Sequence, residues 1–154
     1  MNIKKINILI INGPNLNLLG FRNRNIYGSK TLKEINREIK KRFAKNNMRF
    51  RFFQSNSEGK IIDAIHKYRL WADYLIINPG AYSHYSYAIR DAIESTYIKA
   101  IEVHLTDISK REKFRRKSVI KEVCLKQIKG YGYRSYIKAI NFIINENKKN
   151  KSAI

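Results

Sequence analysis

Apolar residues along this chain fall into short β-branched runs that alternate with longer stretches of helical spacing. Ile6 to Ile11 is the first run, and it stops at Asn12, Gly13 and Pro14, where a buried strand hands over to a polar loop. A helix is expected to begin near Ser29, and Thr31 to Lys45 places Leu32, Ile35, Ile39 and Phe43 on one face. Phe50 to Phe53 reads as the second strand, and Gly59 to Arg69 as a helix with Ile61, Ile62, Ile65 and Tyr68 inward. Tyr74 to Ile77 is the third strand, followed by a helix over Ser86 to Thr96 carrying Ala88, Ile89, Ala92 and Ile93. Ala100 to His104 is the fourth strand, then comes a basic segment of short helical or irregular structure. Val123 to Ile128 supplies the fifth strand, and Ser135 to Asn147 closes the chain as a helix. Alternating strands and helices argue for a parallel sheet covered on both faces, hence an α/β doubly wound domain of flavodoxin-like form. One domain is expected over residues 1–147, with a basic, frayed tail at 148–154.

In such a sheet the carboxyl ends of all strands lie along one edge, where ligands bind. Here those ends read Asn12 to Asn15, Gln54 to Ser57, Asn78 to His84, His104 to Asp107 and Gly130 to Gly132. Amides and two of the three histidines therefore gather in one crevice, whereas His66 lies mid-helix and reads as a surface residue. The first loop adds Asn15, Asn17, Arg22, Arg24 and Tyr27, which marks it as an active-site loop.

Composition narrows the setting. At 154 residues the chain can bury a normal core without disulfide or metal. Its single Cys124 forms no internal disulfide, which points to a reducing cytoplasm. The first apolar run is too short for a signal-peptide core, and no run approaches a membrane span. The formal net charge of +20 suggests nucleic acid or an anionic surface. The basic residues are spread over most of the chain, however, alongside abundant Ile, Asn, Tyr and Phe, and no stacking platform is evident; a solvated basic surface is the reading adopted.

Several chemistries lack their signatures: there is no GxGxxG, no phosphate loop, no zinc spacing and no Gly-x-Ser-x-Gly elbow. What remains is acid–base work by Tyr, His and Arg. A phenol has a reference pKa of about 10, and each unit of lowering takes about 1.4 kcal/mol, so a basic Tyr27 needs a neighbouring cation. Arg22 and Arg24 are both candidates by position. The plain alternative is that Tyr27 packs on the sheet while Arg22 is solvated. Glu102 and His104 stand two apart on a strand and so share a face, where a carboxylate can orient an imidazole as a general acid requires. A strand-end histidine can equally be structural.

The stretches NGPNLNLLG with a following Arg and IYG, FFQSNSEG, IINPGAYSHYSYAIRDAI and IEVHLTDISKREKFRRKSVI closely resemble, in order, type II 3-dehydroquinate dehydratase, or 3-dehydroquinase. The resemblance spans about Ile6 to Phe142. It implies strand order 2-1-3-4-5 and a lyase that dehydrates 3-dehydroquinate to 3-dehydroshikimate by anti elimination through an enolate, without cofactor, metal or covalent intermediate. In that family's pattern Tyr27 takes the proton beside the ketone, Arg22 holds it as phenolate, Asn15 helps stabilise the enolate and His104 protonates the departing hydroxyl. Asn78, His84 and Arg115 would grip ring hydroxyls, and the backbone N–H groups of Leu105 and Thr106 would receive the carboxylate. Asp91 matches a position that reaches into a neighbouring subunit's site, in a homo-oligomer that is usually a dodecamer of trimers.

The sequence also departs from that pattern. Asn23-Arg24-Asn25 replaces an acidic residue and a proline, which predicts a mobile lid; Ser57 stands where His is frequent. Thr106-Asp107 replaces Ser-Asn, so Asp107 must point away from a bound carboxylate or pair with Arg115 or Arg111. Two other classes stay open: a basic nucleic-acid-binding module of the same fold, and a structural oligomer with a dead site.

Overall fold

A computed structural model describes residues 4–152. Five parallel strands lie in the order β2-β1-β3-β4-β5, as the resemblance implied. They are β1 (Ile6–Asn12), β2 (Met48–Gln54), β3 (Tyr74–Asn78), β4 (Lys99–His104) and β5 (Lys126–Lys129). The helices are α1 (Arg24–Tyr27), α2 (Leu32–Arg42), α3 (Glu58–Tyr68), α4 (Tyr87–Thr96) and α5 (Arg134–Ser152). Strand residues alternate between two cores. Ile8, Ile10, Ile76, Ile101 and Val103 pack with Ile35 and Ile39 of α2 and Tyr136 and Ile140 of α5. Leu9, Ile11, Leu75, Ile77 and Ala100 pack with Ile61 and Ile65 of α3 and Ile89 and Ile93 of α4. Each face of the sheet is thereby removed from water, which is why its central strands are predominantly apolar.

Helix starts follow side-chain caps. Thr31 accepts from the Glu34 amide at 3.2 Å while its own N–H donates to the Glu34 carboxylate at 2.7 Å, so α2 begins after Thr31 and not near Ser29. Ser57 and Ser86 cap α3 and α4 more simply, each side chain accepting from one backbone N–H, of Lys60 and Ile89. On α4 Ile89, Ala92 and Ile93 are buried while Ala88 is exposed. The fifth strand differs from the expected Val123 to Ile128: Lys121–Val123 is a 3-10 turn, and pairing with β4 begins only where Lys126 meets Ile101. The last helix continues past Asn147 to Ser152, so the residues read as the start of a frayed tail are helical; 153–154 lie outside the described residues. Among the described residues no helix is long and apolar enough to cross a membrane.

The loops after β1 and β3 lock together through a Gly-Pro step, Gly13-Pro14, and a Pro-Gly step, Pro79-Gly80. The Gly13 N–H donates to the Asn78 carbonyl at 2.8 Å, and a Cβ on Gly13 would lie 2.5 Å from the Pro79 carbonyl oxygen. Reciprocally Gly80, at φ +58°, rests against Pro14. Behind this junction the fully buried Tyr136 phenol donates to Asn12 Oδ1 and accepts from Asn78 Nδ2 at 3.2 Å. Burial pushes that phenol well above its ordinary pKa, so it stays neutral and serves as a hydrogen-bonding strut. Gly13→Ala is expected to cost about 1–3 kcal/mol by forcing the two loops apart; an unchanged urea midpoint would contradict this close approach.

Candidate active site

The carboxyl edge of the sheet carries a cavity of about 160 Å³. Drug-sized pockets run to about 300–1,000 Å³, so this one suits a small compact molecule. Its walls include Asn15, Arg22, Tyr27, Asn78, His84, His104, Leu105, Thr106 and Arg115, residues drawn from the loops after β1, β3 and β4. Of the expected site residues Asp91 alone lies elsewhere, on α4, with its side chain 67% exposed and Arg90 at 3.6 Å. A larger hollow of about 570 Å³ shares Tyr27, Leu105, Thr106 and Arg111 but lacks both histidines, so it is not where the acid–base groups meet.

His104 is set by the buried carboxylate two residues before it. Its Nε2 stands 2.6 Å from Glu102 Oε1. A carboxylate only accepts, so Nε2 carries the hydrogen and Nδ1 is left for the cavity. Glu102 has no exposed surface, and it is satisfied by Ser118 Oγ at 2.8 and 2.9 Å and Gln127 Nε2 at 3.1 Å. His84 closes the 3-10 helix Gly80–His84, and its Nδ1 donates to the Lys117 carbonyl at 2.7 Å, leaving Nε2 as an acceptor. Asn78 spends its oxygen on the Gly80 N–H at 3.2 Å and one amide hydrogen on Tyr136, which frees the other for a ligand.

The cation on the Tyr27 oxygen is not the expected one. Arg22 lies over the face of the phenol ring, 4.1 Å from its centroid, and reaches back to the Asn15 carbonyl at 3.5 Å. Arg111 instead donates to the phenol oxygen at 3.3 Å. That hydrogen bond raises the Arg111 guanidinium further above its ordinary pKa. The helical turn α1, between the two residues, rotates the ring beneath Arg22; Arg24 pins the turn by donating to the Gly20 carbonyl at 2.8 Å. The segment read as a lid takes the form of a short helical turn. Arg111 is far from Tyr27 in sequence, so no local spacing could single it out. Asn56 is a second residue that sequence reasoning missed. Its side-chain oxygen accepts from the Asn15 N–H at 3.0 Å and so holds Asn15 in its left-handed conformation, φ 66°.

Asp107 pairs with neither Arg111 nor Arg115. It caps the turn Ile108–Lys110, accepting from the Ser109 hydroxyl at 2.6 Å and amide at 3.1 Å, with Lys129 at 3.5 Å. Arg115 pairs with Glu112 at 3.2 Å. Asp107 is thus held by its own turn and by Lys129. Among the described residues no three His, Cys, Asp or Glu side chains come together as a metal site would require.

Fold and site define a flavodoxin-like α/β protein with a Tyr–Arg pair and a His–Glu pair at one cavity on the sheet edge. A family model described as dehydroquinase class II matches residues 6–144. The 3-dehydroquinate dehydratase of Clostridium botulinum (strain Loch Maree / Type A3) is 55% identical over 139 residues, 90% of this chain and 95% of that protein. That of Caldicellulosiruptor bescii is 53% identical over 134 residues, 86% and 92% of the two chains. The crystal structure of type II dehydroquinase from Butyrivibrio crossotus DSM 2876 superposes at TM-score 0.87 with 47% identity, over 90% of this chain and 97% of that one. The chain belongs to the class II dehydroquinase family.

The Ser109 hydroxyl, then the Ser109 amide and the Lys129 charge, hold Asp107 below its ordinary value of 3.8. A carboxyl depressed in the folded state adds stability above its unfolded pKa, and the contribution is lost as pH falls through the folded value. Asp107→Asn is therefore expected to flatten the loss of stability below about pH 4. Equal wild-type and variant differences between urea midpoints at neutral and acid pH would refute it.

Proposed function

We propose that this chain is a hydro-lyase that converts 3-dehydroquinate to 3-dehydroshikimate, in the shikimate route to aromatic amino acids. The observation that carries the reading is that Tyr27 with its guanidinium partner and His104 with its carboxylate partner line one small cavity. In this reading the Tyr27 oxygen accepts the proton from the carbon beside the ketone. Arg111 and Arg22 offset the negative charge at the base, one at the oxygen and one over the ring. Asn15 stabilises the enolate that forms, as oxyanion-hole donors do. His104 then gives the Nδ1 proton to the leaving hydroxyl, which departs as water. Delivery from Nδ1 requires hydrogen on both ring nitrogens, and Glu102 supplies the countercharge. Solvent returns a proton to His104 and takes the one held by Tyr27.

Substrate would be positioned by the free amide hydrogen of Asn78, by His84 Nε2, by Arg115, and by the backbone N–H groups of Leu105 and Thr106. Asp91 would complete the site of a neighbouring copy, in a dodecamer built of trimers; its exposure on α4 supports a role outside its own chain's cavity. The reaction belongs in the cytoplasm, in the single domain over 1–147, and the remaining basic surface would raise the local concentration of an anionic substrate.

Incubation with 3-dehydroquinate is expected to give the ultraviolet absorbance of a conjugated product. Tyr27→Phe and His104→Ala should each lower kcat by about 10²–10⁴; a folded wild type without turnover would reject the reading. Arg111→Met is expected to lower kcat by about 10²–10³ with a smaller effect on KM. Unchanged turnover in that variant would return the leading electrostatic role to Arg22.

A further inference from the structure

One short segment touches the supports of both active-site histidines. Along residues 117–119, the Lys117 carbonyl accepts from His84 Nδ1 at 2.7 Å, Ser118 Oγ donates to Glu102, and the Val119 N–H donates to the Ser83 carbonyl at 2.8 Å. Ser118 is itself anchored, because its Oγ also accepts from the amides of Ile120 at 3.2 Å and Lys121 at 3.1 Å. On the other side of Glu102, the adjacent strand β5 places Gln127 in register, and Gln127 Nε2 reaches Oε2 at 3.1 Å. Glu102 is thus a fully buried carboxylate held by one imidazole, one hydroxyl and one amide.

We propose that Ser118 and Gln127 are positioning residues: both aim His104 through Glu102, and the strap that carries Ser118 also sets the orientation of His84. A buried carboxylate that loses a donor must find another partner or rotate. Rotation would carry the His104 ring with it, because the bond at 2.6 Å ties the two groups together. Gln127 touches the His104 branch alone. Ser118 sits between the two branches, so its loss disturbs the proton donor and the substrate-gripping histidine together. The inference rests on the dehydratase reading for its kinetic form, but the geometry it asserts can be read without turnover.

The test compares Gln127→Met, Ser118→Ala and Ser118→Thr. Gln127→Met is expected to lower kcat by about 10-fold with KM within about 2-fold, since only the proton donor loses its alignment. Ser118→Ala should lower kcat by about 10- to 100-fold and also raise KM several-fold, and Ser118→Thr, which keeps the hydroxyl, should recover most of both. In parallel, ¹⁵N-edited NMR follows the His104 Nε2–H, which is expected to exchange slowly with water in wild type and faster in Gln127→Met and Ser118→Ala. Kinetic constants and exchange rates equal to wild type in both variants would overturn the proposal. So would a kcat loss in Ser118→Ala that Ser118→Thr does not recover. Should wild type show no turnover, the dehydratase reading fails, while the exchange rates still decide whether Ser118 and Gln127 hold the His104–Glu102 pair.

Discussion

The site depends on the register of a parallel sheet. Asn12 of β1 lies beside both Gln54 of β2 and Asn78 of β3, and His104 of β4 lies beside Lys129 of β5. Strands that run in one direction end together, so loops distant in sequence are delivered to the same edge. The Gly-Pro junction between the β1 and β3 loops then sets their spacing. Tyr136 holds the two asparagines from beneath, through bonds that leave Asn78 one hydrogen for a ligand. Without that register, nothing in the chain would bring Asn15, Asn78 and His104 within reach of one molecule.

On this platform the charges are handled in two ways. Glu102 is buried without any exposed surface, which is tolerable only because His104, Ser118 and Gln127 satisfy it. Arg22, Arg111 and Arg115 stay partly solvated at the rim, where their charge costs little and faces the cavity. A buried, fully satisfied anion behind His104 thus stands in the same site as partly solvated cations around Tyr27. Asp107, an acid at the same rim, is turned aside by its cap onto Ser109 and by Lys129.

Much of the architecture was legible because the central strands are short apolar runs followed by polar loops, while the long helices each show an apolar face. The misplaced boundaries have local causes. Thr31 outcompetes Ser29 because Glu34 completes its capping box, and Val123 is lost from β5 because its N–H closes a 3-10 turn onto the Ile120 carbonyl. Which residues would line the cavity was suggested by resemblance, and the contact of His104 with Glu102 also by the two-residue period of a strand. Arg111, Asn56, Ser118 and Gln127 carried no such signal. Each acts across a long sequence separation, through one hydrogen bond whose partner is chosen by packing.

By itself the sequence determined the alternation of strands and helices, the two-sided core and the edge where polar loops collect, since periodicity and loop chemistry are properties of neighbours in the chain. Only the tertiary structure decided which guanidinium meets the Tyr27 oxygen and which groups hold Glu102. Contacts of that kind depend on how far α1 turns the phenol and how β5 registers against β4, quantities set by the whole packed domain.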